Sequence, residues 1–182
     1  MSEVEDERIE GMQSVLPAVR QPAAHLGLTK DEMTWAAIAH ASIIVTVLLG
    51  LAGAGIGAVI GIAIPALIWL AYRNKSAYVV DQARQATLFQ VAGIVALLGL
   101  VIVGVLLIVV GWVITGLLSA VLVGLVLIPL MIILTLLFVA AIIGLPIAQL
   151  VYGCYAAVEA HNGRAFRYRW VSDLIDRYMA QP

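Results

Sequence analysis

Two runs of the chain, Met33 to Tyr72 and Gln85 to Val158, contain no Asp, Glu, Lys or Arg. A membrane helix needs about 20 apolar residues to cross a hydrocarbon core of roughly 30 Å, so the first run holds two crossings. Their turn is expected in the glycine-rich segment Gly50, Gly53, Gly55 and Gly57. The second run is long enough for two generous crossings or three tight ones, and its turn is expected between Gly116 and Pro129, around Leu117, Ser119 and Gly124.

Charge decides between two and three. All ten Lys and Arg residues lie in three stretches, at Arg8 to Lys30, Arg73 to Arg84 and Arg164 to Arg177. Cytoplasmic loops collect Lys and Arg, and an even number of crossings puts all three stretches on one side. Three crossings in the second run would export four arginines. The expectation is therefore an all-α, polytopic transmembrane bundle of four spans, arranged as two hairpins, with both termini cytoplasmic. The spans are placed at about 33–51, 55–73, 88–116 and 124–157 within a domain of 28–162. An acidic segment, 1–27, precedes it, and a basic, aromatic tail, 163–182, follows.

Local signals mark the helix ends. Thr29 followed by Glu32 fits a capping box, with Leu28 and Met33 as its hydrophobic staple. Asn162-Gly163 can close the last helix through a left-handed residue, which ends that helix near His161. Pro65 and Pro146 lack an amide donor and crowd the carbonyl four residues back, so each predicts a kink.

Composition agrees with the pattern. The chain is 63% hydrophobic and 12% charged, against roughly 25% charged in soluble domains. A net charge of −1 argues against a nucleic-acid partner. The single cysteine, Cys154, sits in apolar sequence without the His or Asp of a nucleophile and reads as core packing. The start, MSEVEDERIEG, is acidic where a signal peptide is basic, so this segment is expected to be retained.

Several landmarks together resemble a known family. They are Leu28-Thr29-Lys30-Asp31-Glu32 with Trp35 and Ala39-His40-Ala41-Ser42, then Pro65 through Trp69 and the basic loop. They continue with Asp81 through Gln90, Ala160-His161-Asn162-Gly163 and Phe166-Arg167-Tyr168. These stretches, within residues 28–170, are similar to a family of small four-helix bacterial membrane proteins related to the "Tic-twenty" subunit of the chloroplast inner-envelope protein translocon. The stretch between Gln90 and Asn162 looks longer than is usual there, and Arg169 stands where a proline is often found. The resemblance implies a four-helix membrane protein of a family without a known function, linked to polypeptide translocation through the translocon subunit.

Candidate sites are few. His40 lies inside the first helix and could ligate a metal, haem or pigment, or carry a proton. A neutral imidazole hydrogen-bonded to a neighbouring helix is the favoured reading, since a lone His makes a poor metal site. Gly57 and Gly61 have the small-xxx-small spacing that lets helices approach, and packing is favoured over a pore. The segment from Ser76 to Gln90 reads as an amphipathic connector on the cytoplasmic surface. Trp35, Trp69 and Tyr72, together with Phe166, Arg167, Tyr168, Arg169 and Trp170, are expected to anchor the chain at the interface, with rings in the headgroup layer and arginines on anionic lipid. Ser172 is expected to cap a short surface helix reaching Tyr178.

No catalytic, metal or cofactor constellation stands out, so a non-enzymatic role is expected. The leading reading is a structural, assembly or accessory subunit of the cytoplasmic membrane. Its expected partners are membrane lipids and a homo-oligomer or larger membrane complex. The alternative is an oligomeric channel or a protein-translocation component, because four apolar helices alone would not enclose a hydrated path.

Overall fold

The computed structural model describes residues 27–53 and 55–178, and among these it is all-helical. Five helices follow in order: α1 Lys30–Ala52, α2 Gly57–Tyr72, α3 Ala77–Ser119, α4 Val123–His161 and α5 Arg169–Tyr178. The acidic N-terminal segment lies outside the described residues.

The helix ends follow from local chemistry. Thr29 is the N-cap of α1: its Oγ1 accepts from the Glu32 N–H at 3.2 Å, while the Thr29 N–H donates to Glu32 Oε2 at 2.9 Å. This reciprocal box satisfies two of the orphan donors of the first turn. In the turn between α1 and α2, Gly55 takes φ 94°, a conformation that side chains with a Cβ rarely adopt. At the end of α4, Gly163 has φ 71°, its N–H donates to Ala160 O at 3.0 Å, and the Arg164 N–H donates to Glu159 O at 3.0 Å. That pair of bonds is a Schellman closure. Between α3 and α4 only residues 120–122 are non-helical, and Leu122 carries the positive φ of 62°.

Three helices, α1, α3 and α4, are long and apolar enough to cross a membrane. The fourth, α2, has 16 residues, about 24 Å at 1.5 Å per residue, which is short of a roughly 30 Å core. Pro65 lies inside α2 and is fully buried, and Pro129 and Pro146 lie inside α4.

One boundary differs from expectation. The third helix begins at Ala77, not near residue 88, so the supposed surface connector forms its first turns. Val79, Gln82, Ala83, Gln85 and Ala86 are all buried there. Spacings of three and four residues put them on one face, and that face is a core face.

The described residues fall into two compact units. One comprises the residues up to Phe89 together with those from Gly153 onward, and the other is Gln90–Tyr152. In the first unit, Ala39, Ile68, Val79, Ala83 and Ala86 form an apolar core, with Ile64, Trp69, Tyr72 and Tyr78 packed against it. Small residues dominate this core, which lets the helix backbones come close. A Cβ on Gly61 would collide with Thr46 of α1, and one on Gly57 with the Leu49 carbonyl. In the second unit the legs of α3 and α4 interlock by the same device: Gly104 receives Phe138, Gly93 receives Gln149, and Trp112 Nε1–H donates to Thr135 Oγ1 at 3.0 Å.

Candidate functional site

The first unit encloses a polar cluster drawn from three parts of the chain. His40 of α1 is 1% exposed, and Gln82 and Gln85 of α3 are 0% exposed. The third part is the segment between α4 and α5, where Tyr168 is buried with Ala156 and Val171, and Phe166, Leu88 and Phe89 pack around them. Burying an amide or imidazole without a partner is costly, so the hydrogen bonds of this cluster decide whether it can exist.

They nearly close. Gln82 Oε1 accepts from the Phe166 N–H at 3.1 Å, which fixes the orientation of the carboxamide, because a backbone N–H can only donate. His40 Nε2 lies 3.1 Å from the same oxygen and must therefore carry the proton. His40 Nδ1 is then the acceptor, and it receives the Tyr168 hydroxyl at 3.2 Å. The Tyr168 N–H donates to Gln85 Oε1 at 3.1 Å, and Gln82 Nε2 donates to Asp81 Oδ2 at 3.3 Å. Gln85 Nε2 is the one member left without an acceptor. Burial, reinforced by the nearby Cys154, pushes the Tyr168 phenol up from its ordinary value and keeps it a neutral donor.

Aromatic packing completes the arrangement. The Tyr168 ring stacks on Phe89 with centroids 3.9 Å apart and planes 5° from parallel. Phe166 meets His40, Tyr155 and Tyr168 edge-on, at 6.3, 5.6 and 4.9 Å. Such pairs contribute roughly 0.5–1.5 kcal/mol beyond the area they bury. Tyr78 adds a further tie, its hydroxyl donating to Ala160 O at 3.0 Å.

The imidazole of His40 thus spends both nitrogens on protein partners, and no lone pair faces outward to a metal or haem iron. Among the described residues no group of three His, Cys, Asp or Glu is placed to hold a metal ion. Neutral hydrogen bonds and stacked rings clip the segment after α4 onto α1 and α3.

The residues expected at the interface divide. Trp35 and Tyr72 meet with centroids 5.7 Å apart, and Trp69 lies under the Arg84 guanidinium at 5.2 Å. Trp170 is 73% exposed, as a headgroup anchor would be. Tyr168, by contrast, is buried and Phe166 half-buried against it, because their neighbours Gln82, Gln85 and His40 require donors and acceptors that lipid lacks. Arg167, between them, also makes an interaction within the protein. The tail helix starts at Arg169, and Ser172 sits inside it with its hydroxyl donating to Arg169 O at 2.9 Å, so Ser172 is not its cap. Gln82 and Gln85, expected in a surface connector, and Phe89 are residues of the cluster that the sequence does not single out as a site. Their signal was the spacing Val79, Gln82, Ala83, Ala86 and Gln90, a helical face carrying two glutamines. Gly153 was missed as well: a Cβ there would stand 2.6 Å from Ile43 of α1.

Residues 31–175 match the magnetosome magnetite crystal formation protein family, MamF/MmsF, and the chain belongs to that family of bacterial membrane proteins. The matched stretch contains α1 to α4, most of α5 and the whole polar cluster. No curated protein and no solved structure matches the chain. The resemblance to the chloroplast translocon subunit gains no support from these comparisons, and neither does a channel.

Proposed function

We propose that this chain is a membrane-integral, non-enzymatic accessory protein of the magnetosome that supports magnetite crystal formation through packing and assembly in the membrane. The family match over residues 31–175 carries this reading. The polar cluster fits it, because its hydrogen bonds are spent on holding the chain together. Lipids and other copies of the chain are the partners proposed for the exposed apolar helix faces.

The finer topology belongs to the same proposal. Four spans with cytoplasmic termini follow from the positive-inside bias. In that arrangement the turns at residues 53–56 and 120–122 face the vesicle interior, and neither contains an ionisable side chain. Protein side chains hold iron chiefly through imidazole nitrogen and carboxylate oxygen, and those turns offer neither. With neither on that side, the chain would act on the crystal through the membrane and its partners, without templating the mineral itself.

The test is deletion of the gene in a magnetite-forming bacterium, with crystal size and number measured by electron microscopy. Altered crystals, restored by the full chain, are expected. Unchanged crystals would overturn the function. Reporter fusions after Lys75 and Arg177 should read cytoplasmic and one near Ser119 should read the opposite side; agreement between the last two would overturn the four-span topology.

A further inference from the structure

Between α2 and α3 the chain turns through Arg73, Asn74, Lys75 and Ser76. The corner opens a cavity of about 530 Å³, lined by residues 73–77 and by Val80, Asp81 and Arg84 of α3. This volume is within the range of sites that take small ligands.

The lining is cationic. Arg73 and Lys75 are exposed, and among the described residues no carboxylate pairs with either of them or with Arg84. Arg84 is held against the Trp69 ring, and its Nε is buried without an acceptor. Lys75 Nζ lies 5.5 Å from the centre of the Tyr72 ring. Asp81 is the acidic member of the lining, and its Oδ2 already accepts from Gln82 Nε2 at 3.3 Å. The lining residues alone, three cations and one carboxylate, carry a formal charge of +2, and the Glu32 carboxylate of α1, hydrogen-bonded to Ser76 at the edge, offsets part of it. The first turn of α3 adds positive potential, because the positive end of its dipole faces the same corner, where Ser76 Oγ accepts from the Val79 N–H at 3.4 Å.

Three cations gathered at one concavity repel each other unless an anion joins them. Arginine forks match the tetrahedral oxygens of phosphate, and lysine adds a mobile point charge. Trp69 and Tyr72 beside the cavity are residue types that settle at the depth of lipid headgroups. We propose that this corner is a binding site for a phosphate group, supplied by an anionic phospholipid headgroup or by a soluble phosphate. The site does not depend on the magnetosome function proposed above.

The test uses the full chain in phosphatidylcholine nanodiscs doped with a minor fraction of phosphatidylglycerol, with bound lipid counted by native mass spectrometry. A parallel arm titrates glycerol phosphate and inorganic phosphate against the chain in pure phosphatidylcholine. Arg73→Gln and Lys75→Gln should each weaken phosphatidylglycerol retention about fivefold, and about 25-fold together. Lys75→Arg should retain it, and Asp81→Asn should tighten it. Arg164→Gln removes a cation outside the cavity, one paired with Glu159 at 3.5 Å, and should change nothing. Arg73 and Lys75 are exposed, so their variants should melt with the wild type.

Selective retention of phosphatidylglycerol supports the site with a lipid source. Saturable binding of glycerol phosphate or inorganic phosphate, weakened by the same two variants, supports it with a soluble source. Failure of both arms overturns the proposal. An Arg164→Gln loss equal to that of Arg73→Gln also overturns it, since it would show only diffuse surface charge.

Discussion

Replacing Gln82 by Leu tests whether the segment after α4 is held by hydrogen bonds or merely by apolar packing. The two side chains are similar in size, and the site is fully buried, so packing changes little. What disappears is one oxygen that serves two buried donors, His40 Nε2–H and the Phe166 N–H, both at 3.1 Å, together with the Nε2 donor to the half-buried Asp81 carboxylate at 3.3 Å, which water can replace. Each orphaned buried donor costs about 1–3 kcal/mol, so the substitution should destabilise the closed segment by about 2–6 kcal/mol. The released chain contains Arg164, Arg167 and Arg169, which are trypsin sites. Where opening is fast relative to cleavage, the cleavage rate follows the open population. The lower bound of about 2 kcal/mol then means roughly 30-fold faster cutting in mild detergent. A second substitution isolates the cause. With His40→Leu already present, Gln82→Leu orphans only one donor, and its cost should fall by about 1–3 kcal/mol. Cleavage rising less than about threefold, or the two substitutions adding to within about 0.5 kcal/mol, would refute the shared-acceptor reasoning.

Gly61→Ala pushes a methyl into Thr46 across the α1–α2 contact, whereas Gly144→Ala meets open space. Thermal unfolding in detergent should show the first destabilised by about 1–3 kcal/mol and the second unchanged or slightly stabilised; equal effects would contradict the packing described. Leu122 holds φ at 62° in the turn between α3 and α4, which costs an L-residue about 1–2 kcal/mol. Leu122→Gly should therefore be neutral or more stable by up to about 1 kcal/mol once the added freedom of unfolded glycine is counted, while Leu122→Val should be less stable; the reverse order would refute the turn geometry.

Features determined by short-range chemistry were legible in the sequence. The capping box at Thr29 and Glu32, the glycine turn before α2 and the Gly163 closure each involve residues within a few positions of one another, and each stands where the local signal put it. The polar cluster was not legible in the same way. His40, Gln82 and Tyr168 are 42 and 128 residues apart along the chain for the two bonds His40 makes. In isolation, Gln82 and Gln85 look like surface residues, and Phe166 to Trp170 look like a headgroup anchor. Only folding shows that each supplies what the other lacks, an acceptor for a tail N–H in one case and a buried ring in the other. The same pairing explains why α3 starts at Ala77: once the glutamines are satisfied inside the protein, nothing prevents the helix from extending over them.

The boundary between the two units is also a chemical one. All the described Asp, Glu, Lys and Arg residues belong to the first unit, and Gln90–Tyr152 has none. In the most apolar windows of α3 and α4, only 6% of the residues are buried, against 33% for α1. In water this surface would be untenable, since contiguous apolar patches beyond a few hundred Å² are rare on soluble monomers. In hydrocarbon it is unremarkable, because a lipid tail is as good a neighbour for Leu or Val as another side chain. Close approach in this unit comes instead from glycines receiving large side chains and from the Trp112–Thr135 hydrogen bond. The two units therefore cohere by different means, the second by shape within an apolar solvent and the first by neutral hydrogen bonds among His40, Gln82, Gln85 and Tyr168. Substitutions that remove a hydrogen bond should matter most in the first, and those that add volume at Gly93 or Gly104 most in the second.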